Sequence, residues 1–274
     1  MKTRTIVGLT AIPLFILLIF FAPLWAFSIL VGLISLGSAW EILRCVDSSL
    51  PLRFRVYAAV TGFAMPVAFA LLREDAVVST AIFVISALMF AELLFSFKKE
   101  EHIKLETVLY VILAGGIMPM LLISLVRIGV IESSPAYVFL PFVAAFSSDS
   151  GAYFAGYFWG KKKAFPHLSP KKTVAGCVGG LVSAVLLMLL YGLVISRFGF
   201  EVNYLLLAVY GLFGSLACQF GDLVFSAIKR QYGVKDYGNL IPGHGGMLDR
   251  FDSMHFTAPM IELLVVVLPA IYKA

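Results

Sequence analysis

The segment KDYGNLIPGHGGMLDRFD, residues 235–252, combines charged side chains with four glycines. Its aspartates Asp249 and Asp252 are three residues apart, so they share one face if the last helix begins near Gly246. Two carboxylates at a helix start can share one Mg²⁺, which proteins hold with one or two carboxylates, phosphate oxygens and water. The spacing therefore predicts metal-assisted phosphoryl or nucleotidyl transfer.

The glycines of this segment predict a backbone that approaches an anion closely. Gly245 and Gly246 follow His244, and backbone N–H groups in such a sequence can form a nest for phosphate oxygens. Lys235 and Arg250 add cationic groups on either side. One short segment thus offers candidate ligands for both a metal ion and a phosphate.

The apolar stretch before this segment carries a second set of polar residues. Asp222, Ser226 and Lys229 are spaced i, i+4, i+7 and share one helical face, with Arg230 at its edge. This order predicts a carboxylate deep in the membrane, a hydroxyl above it and cations at the rim. The alternative is a Lys-Arg pair that snorkels at a helix end.

Asp149 lies among small and hydroxyl residues in FSSDSGAYFAG. Asp149 and Asp222 each lie on the order of 10–15 Å below the cytoplasmic end of their helices, which predicts a polar cleft open to the cytoplasm. The loop 160–174 adds lysines and hydroxyls just before a glycine-rich helix. Its candidate substrate-binding residues are Ser169, Lys171, Lys172 and Thr173. A loop that only attracts anionic lipid is the alternative.

Three further acids lie in apolar stretches, and we expect structural roles for them. Glu41 and Glu92 are near predicted span ends, where we expect them either to snorkel or to pair with Arg44 or Lys98. Glu262 lies in the middle of the last span, where we expect it to pair across helices.

Composition places these residues in a membrane protein. The chain is 61% hydrophobic and 14% charged, with a mean hydropathy of +0.96, whereas soluble domains are roughly 25% charged. The three cysteines form no CxxC pair, so no disulfide framework or zinc site is expected. The fold class predicted is an all-α polytopic membrane protein with nine spans. These are 5–23, 24–43, 56–72, 76–97, 105–130, 136–159, 175–197, 203–228 and 253–272.

The first span is expected to be a retained membrane helix and not a signal peptide. All but four of the 21 Lys and Arg residues fall on the side of the N-terminus, which predicts a cytoplasmic N-terminus and an outside C-terminus. The exceptions are Arg73, Arg127, Arg197 and Lys273. We divide the chain into an N-terminal membrane region, 1–130, and a C-terminal catalytic region, 131–274, with cytoplasmic loops 160–174 and 231–250.

Residues 226–252 resemble the signature of the phosphatidate cytidylyltransferases, also called CDP-diglyceride synthases. The matching positions are Ser226, Ile228, Lys229, Arg230, Lys235, Asp236, Gly238, Ile241, Pro242, His244, Gly245, Gly246, Met247, Asp249, Arg250, Phe251 and Asp252. Ser148-Asp149 and the SPKKT stretch at Ser169–Thr173 are also similar to this family. The resemblance covers the C-terminal half closely, whereas the N-terminal half matches only in being apolar.

The resemblance implies condensation of CTP with phosphatidic acid to CDP-diacylglycerol and pyrophosphate. It implies one or two Mg²⁺ ions on Asp222, Asp249 and Asp252, and leaves a monovalent cation open. Lys229 and Arg230 are the expected catalytic cations. Expected substrate-binding residues are Asp149, Ser169, Lys171, Lys172, Thr173, Ser226, Lys235, Asp236, His244, Gly245, Gly246 and Arg250. The implied location is the inner (plasma) membrane, with the site facing the cytoplasm; a homodimer is left open, and no nucleic-acid partner is expected.

Two other functions fit parts of the pattern. A CTP-dependent kinase of dolichol or phytol type would transfer the γ-phosphate to a lipid alcohol. An ion-coupled transporter would also bury acids in membrane spans. The clustering of chemical residues at one membrane face, and the lack of an inverted repeat, favour an enzyme over a transporter.

Overall fold

The protein is described by a computed structural model, which covers residues 23–98, 102–131, 134–240 and 245–273. Within these ranges the chain is predominantly α-helical, and six helices are long and apolar enough to cross a membrane. They comprise Leu24–Val46, Leu52–Leu72, Ala76–Ser96, Leu105–Ile128, Val174–Phe198 and Tyr204–Gln231. An all-α membrane protein, as predicted, is confirmed at this level. The predicted span 5–23 lies outside the described residues.

The elements follow one another with short connections. The helices are α1 Leu24–Val46, α2 Leu52–Leu72, α3 Ala76–Ser96, α4 Leu105–Ile112, α5 Met118–Leu122, α6 Ser124–Ile128, α7 Ser134–Tyr137, α8 Leu140–Trp159, α9 Val174–Ile195, α10 Tyr204–Gln231, α11 Leu248–Phe251 and α12 Met254–Val267. A π-helical turn at Leu113–Ile117 joins α4 to α5, and a 3-10 turn at Ser196–Phe198 follows α9. The strands are β1 Lys163–Phe165, β2 Ser169–Thr173, β3 Phe200–Val202 and β4 Ile271–Lys273.

Local sequence explains where several helices begin. Pro23 and Pro51 immediately precede α1 and α2, where a residue without an N–H costs no hydrogen bond. Thr173 caps α9 by accepting the N–H of Gly176, and Asn203 caps α10 by accepting that of Leu206. The caps hold β2 at the start of α9 and β3 at the start of α10.

The chain divides into two compact units. The first contains the residues up to Val126 together with Val234–Phe251, and α1 packs against α2, the π-helical turn and α11 within it. The loop predicted at 231–250, which we grouped with the C-terminal region, thus belongs mainly to the unit built from the N-terminal helices. This unit is discontinuous in sequence, because residues 127–233 separate its two segments.

The second unit contains Arg127–Gly233 and the chain from Asp252 onward. Its framework is α8, α9, α10 and α12: α9 packs along α8 and α10, and α12 packs on α10 and α8. Two antiparallel strand pairs complete it: the hairpin of β1 with β2, and β3 with β4, which are distant in sequence. Neither pair was predicted from the sequence, which indicated only a loop at 160–174.

The end of the chain differs from the predicted span 253–272. Helix α12 ends at Val267, and Ile271–Lys273 instead pairs with Phe200–Val202. The condition under which Asp249 and Asp252 would share one helical face, a last helix that begins near Gly246, is not met, since α11 and α12 are separated at Asp252 and Ser253. There the Asp252 carboxylate accepts the N–H of Ser253 at 2.7 Å, a local bond that competes with helix continuation.

Candidate active site

Small and hydroxyl residues bring α8, α9 and α10 together in the second unit. Gly180 of α9 lies so close to α8 that an added Cβ would be 2.9 Å from the carbonyl oxygen of Ser148. The Ser148 hydroxyl is 2.7 Å from that of Ser215 on α10, and Gln219 donates to the carbonyl of Cys177 at 3.1 Å. Such close contacts are typical of helix packing in membranes. They hold the helices that carry Asp149 and Asp222.

Asp222 of α10 forms the closest ion pair of the site. Its Oδ2 lies 2.5 Å from Nζ of Lys172, and its Oδ1 accepts the hydroxyl of Ser226 at 3.3 Å. The Asp222–Ser226 contact confirms the predicted shared helical face. Both Asp222 and Lys172 keep about a quarter to a third of their side chains exposed, at 32% and 24%. The pair is thus open enough to exchange partners with a ligand.

Lys172 reaches Asp222 because β2 is fixed beside α8 and α9. Thr173, next in the strand, is buried, and a Cβ added at Gly156 or Gly176 would lie 3.1 Å from its hydroxyl oxygen. Its backbone register is set by pairing with Lys163 of β1. The hairpin therefore acts as a rigid support for Lys172 and not as a loose basic loop.

Lys229 and Asp252 form the second charged pair of this unit. Nζ of Lys229 lies 3.8 Å from Oδ2 of Asp252, and both residues are buried. Lys229 therefore points inward, against the alternative of snorkelling. Burial is the main cause that raises the pKa of the Asp252 carboxyl to about 7, and the charges of Asp222 and Asp149 add to it, whereas Lys229 opposes the shift.

Asp149 completes the group at the α8–α10 contact. It is exposed, and its Oδ1 lies 3.6 Å from Sγ of Cys218 on α10. Its charge acts on Asp252, so the carboxylates of Asp149, Asp222 and Asp252 share one electrostatic environment with Lys172 and Lys229. We call these five residues the charged cluster. The charged cluster thus combines three acidic side chains with two ammonium groups.

That donor set suits a hard divalent cation held jointly with a ligand. Within the described ranges, no three His, Cys, Asp or Glu side chains lie close enough to hold a metal ion by themselves. Mg²⁺ does not require such a cage, because one or two carboxylates with substrate phosphates and water suffice. Asp222 and Asp252 are two carboxylates of this kind, and each lies beside a lysine. Magnesium binding stays a prediction.

The remaining predicted residues of the second unit lie around this cluster. Arg230 is exposed, and its Nε lies 3.5 Å from the carbonyl of Leu168 between β1 and β2. Lys171 is exposed on β2, and Ser169 is partly exposed at the start of the strand. The hairpin thus brings cations of SPKKT and the end of α10 to the same side of this unit.

In the first unit, Asp249 organises the loop that precedes it. Its Oδ2 accepts the backbone N–H groups of Tyr237 at 2.8 Å and of Gly246 at 3.1 Å. Gly245 has a positive φ of 87°, a conformation suited to glycine. The N–H of Gly246 is therefore engaged by a carboxylate of the chain itself. The roles of Gly245 and Gly246 in phosphate binding, and of Asp249 in metal binding, stay predictions.

Other predicted residues of this loop have simpler placements. Lys235, Asp236 and Arg250 are exposed. His244 lies outside the described residues. Asp249 and Asp252 belong to different units, so the cation that we expect them to share stays a prediction from their spacing.

Two of the three acids with expected structural roles, Glu41 and Glu92, have partners other than those that we named. Glu41 accepts the N–H groups of Met247 and Leu248, at 2.9 and 2.8 Å. Oε1 of Glu92 lies 3.1 Å from Nε of Arg53. The prediction that Glu92 pairs with Lys98 is therefore wrong. Arg44 was likewise the wrong partner for Glu41.

Glu262 pairs with Arg127 at 3.7 Å, as expected for an ion pair across helices. Sequence reasoning missed the loop-anchoring contacts of Glu41, and it missed Gln219 and Ser215 as packing residues. Only the position of Glu41 in an apolar helix could have flagged it.

The described helices, long and apolar enough to cross a membrane, define a helical membrane protein in which acidic and ammonium groups form one cluster. The chain matches the model of the Cytidylyltransferase family over residues 2–268, and it belongs to this family. It is similar to the phosphatidate cytidylyltransferase of Bacillus subtilis (strain 168), with 48% identity over 129 residues, 47% of each chain.

Proteins of the same name from two staphylococci are also similar. The Staphylococcus saprophyticus protein (strain ATCC 15305) is 41% identical over 130 residues, and the Staphylococcus aureus protein (strain COL) is 42% identical over 132. Each of these matches covers 47% of this chain and 49% of the relative. The matched part of the chain thus spans about half the length of these relatives.

Proposed function

We propose that the protein is an integral-membrane nucleotidyltransferase that condenses CTP with phosphatidic acid to CDP-diacylglycerol and pyrophosphate. The observation that carries this proposal is the charged cluster, in which Lys172 contacts Asp222 and Lys229 contacts Asp252, in a chain of the Cytidylyltransferase family. The names of the similar bacterial proteins support phosphatidate as the lipid substrate. The reaction belongs to phospholipid biosynthesis.

The chemistry fits a site without a strong general base. A phosphatidate oxygen, already ionised near neutral pH, forms a bond to the α-phosphorus of CTP. The bond between that phosphorus and the α–β bridging oxygen breaks, and pyrophosphate leaves with the electron pair. Alignment and charge neutralisation are then the main tasks of the protein.

The charged cluster supplies both tasks. Asp222 and Asp252 would hold one or two Mg²⁺ ions, and Asp249 is included because it lies three residues before Asp252 in the sequence. A bound Mg²⁺ would neutralise phosphate charge. Lys172 and Lys229, which lie beside these aspartates, would neutralise phosphate oxygens. Arg230, Lys235 and Arg250 are the candidates for the leaving pyrophosphate, and Lys171 for the lipid phosphate. Whether a monovalent cation takes part stays open.

The proposed topology has nine spans, with the N-terminus in the cytoplasm and the C-terminus outside. It is supported by the distribution of Lys and Arg and by the six apolar helices. In this arrangement the charged cluster faces the cytoplasmic side of the inner (plasma) membrane, where CTP is available. Phosphatidic acid would reach the cluster through the bilayer. A homodimer is compatible with the proposal.

The test uses purified protein with phosphatidic acid, CTP labelled in its cytosine ring and Mg²⁺. A labelled lipid that is lost with EDTA is the expected product. Labelled CDP with an unlabelled phospholipid would instead identify a CTP-dependent lipid kinase and overturn the proposal. Uptake of a solute into proteoliposomes without either product would identify a transporter.

A further inference from the structure

Three consecutive backbone N–H groups in the first unit are held by two carboxylates. The N–H of Gly246 donates to Asp249, while those of Met247 and Leu248 donate to Oε1 and Oε2 of Glu41. Glu41 lies on α1 and is 206 residues from Met247 in sequence. Both oxygens of one side chain therefore hold the start of α11, the short helix that contains Asp249.

The surroundings of Glu41 are shaped for this contact. Glu41 is only 5% exposed, and a Cβ at Gly238 would lie 2.9 Å from its carboxyl carbon. Gly246 packs on the same carboxylate. One turn earlier on α1, a Cβ at Gly37 would lie 3.2 Å from the Cβ of Met247. Helix α1 thus presents a fitted surface, made by Gly37 and Glu41, to the loop.

A buried carboxylate in an apolar helix is costly unless its hydrogen bonds are satisfied. Here the acceptors meet two N–H donors at 2.9 and 2.8 Å, bonds that are stronger than those between neutral groups. The anchored residues immediately precede Asp249, whose own Oδ2 is held by Tyr237 and Gly246. The backbone that leads into Asp249 is therefore held at Gly246, Met247 and Leu248.

We propose that Glu41 is a positioning residue that anchors the 245–251 backbone and thereby orients Asp249 for the reaction. This inference rests on the proposed function for its catalytic part. Glu41 touches no reacting group in this role; it acts through Met247 and Leu248. The N-terminal helices, to which α1 belongs, then contribute directly to the order of the loop that carries Asp249.

The test compares Glu41→Gln and Glu41→Asp with the wild-type protein. Glutamine is nearly isosteric but has one acceptor oxygen, so one of the two N–H groups faces an amide donor. Aspartate keeps the charge but is shorter by one methylene, about 1.5 Å. Both variants should therefore exchange amide hydrogens faster in peptides covering 245–251, by about tenfold or more, the scale expected for one lost hydrogen bond to a charged group.

In the cytidine-lipid assay, kcat of both variants should fall by about tenfold or more, while the melting temperature and exchange elsewhere stay close to wild type. The matched control is Glu92→Gln, which removes an acid of the same unit that pairs with Arg53 away from the loop. It should leave kcat and exchange at 245–251 unchanged. If Glu41 had a purely structural role, the melting temperature would fall together with kcat. Amide hydrogens would then exchange faster throughout the first unit and not only at 245–251.

Each other outcome is decisive. Unchanged exchange at 245–251 in both variants would overturn the anchoring role. Faster exchange with unchanged kcat would overturn the positioning role. Wild-type activity in Glu41→Asp, together with low activity in Glu41→Gln, would overturn the importance of the two hydrogen bonds and assign the effect to the charge of Glu41. If wild-type protein makes no cytidine lipid, the proposed function fails together with the catalytic part of this inference. In that case amide hydrogen exchange at 245–251 still tests, independently of activity, whether Glu41 anchors the loop.

Discussion

Nζ of Lys172 lies 2.5 Å from Oδ2 of Asp222, so a strand residue and a helix residue of the second unit are joined directly. Lys172 follows a hairpin turn, whereas Asp222 lies in the middle of α10. Since both side chains remain partly exposed, an arriving phosphate can compete for the lysine and a cation for the aspartate. Under the proposed function, the pair is the arrangement without ligand of two groups that would act separately on CTP.

We expect Lys172→Met to lower kcat/KM for CTP by about a hundredfold, the usual effect of removing one group that stabilises developing charge. The control is Lys163→Met, which removes an exposed lysine from the neighbouring strand. It should remain close to wild type. Steady-state assays of cytidine-lipid formation measure both, and equal activity of the two variants would contradict the role of Lys172.

The pH dependence of magnesium activation should report on Asp252. Its pKa is raised to about 7, so the carboxylate gains a proton as pH falls through that value, and the proton competes with a cation. The Mg²⁺ concentration for half-maximal activity should be about tenfold higher at pH 6 than at pH 8. In Asp252→Asn, whose amide does not titrate, this pH dependence should be absent. The same dependence in the variant would assign it to another group.

Gly180 is expected to tolerate no side chain. Its Cβ would lie 2.9 Å from the Ser148 carbonyl and 3.2 Å from Nε2 of Gln219, so Gly180→Ala must separate α8 from α9. We expect a loss of about 1–3 kcal/mol in stability, typical of overpacking, seen as a lower melting temperature in detergent.

The matched control for Gly180 is Gly116→Ala. The nearest side chain to a Cβ at Gly116 is that of Ile85, at an ordinary contact distance of 3.6 Å. Its melting temperature should stay within error of wild type. A Gly180→Ala protein that melts like this control would show that the α8–α9 contact can relax at little cost.

The Arg127–Glu262 pair should contribute to stability and not to turnover. Its two side chains are 26% and 19% exposed in apolar helices, so removing one partner leaves the other charge poorly solvated. We expect Arg127→Met and Glu262→Met each to lower the melting temperature, and the double variant to recover much of the loss. A double-mutant cycle should give a coupling of about 1 kcal/mol. Strictly additive effects would show that the pair is not coupled.

Hydropathy predicted most of the described helices because a long apolar run in a membrane protein has one favourable structure. The i, i+4 spacing of Asp222 and Ser226 likewise predicted their contact, which depends only on helix geometry. The charged pairs Lys172–Asp222 and Lys229–Asp252 were expected as members of one site, but not as partners. Pairing depends on how β2 and α10 pack, which no local pattern encodes.

The contacts of Glu41 could not be predicted for a different reason. Its partners are backbone N–H groups, which are the same for nearly every residue type, and they lie more than 200 residues away. The break between α11 and α12 was missed because Asp252 satisfies the N–H of Ser253 locally. In both cases a side-chain oxygen competes with regular backbone bonding, and hydrophobic periodicity carries no information on that competition.

The discontinuity of the first unit sets an order for biogenesis. Glu41 enters the membrane early in synthesis, but its partners Met247 and Leu248 are translated only after residues 127–233. Until then this acid faces its apolar surroundings without the two donors that stabilise it. Ordering of the loop around Asp249 therefore has to wait for the synthesis of residues 127–233, and a chain arrested before Met247 would lack this anchor.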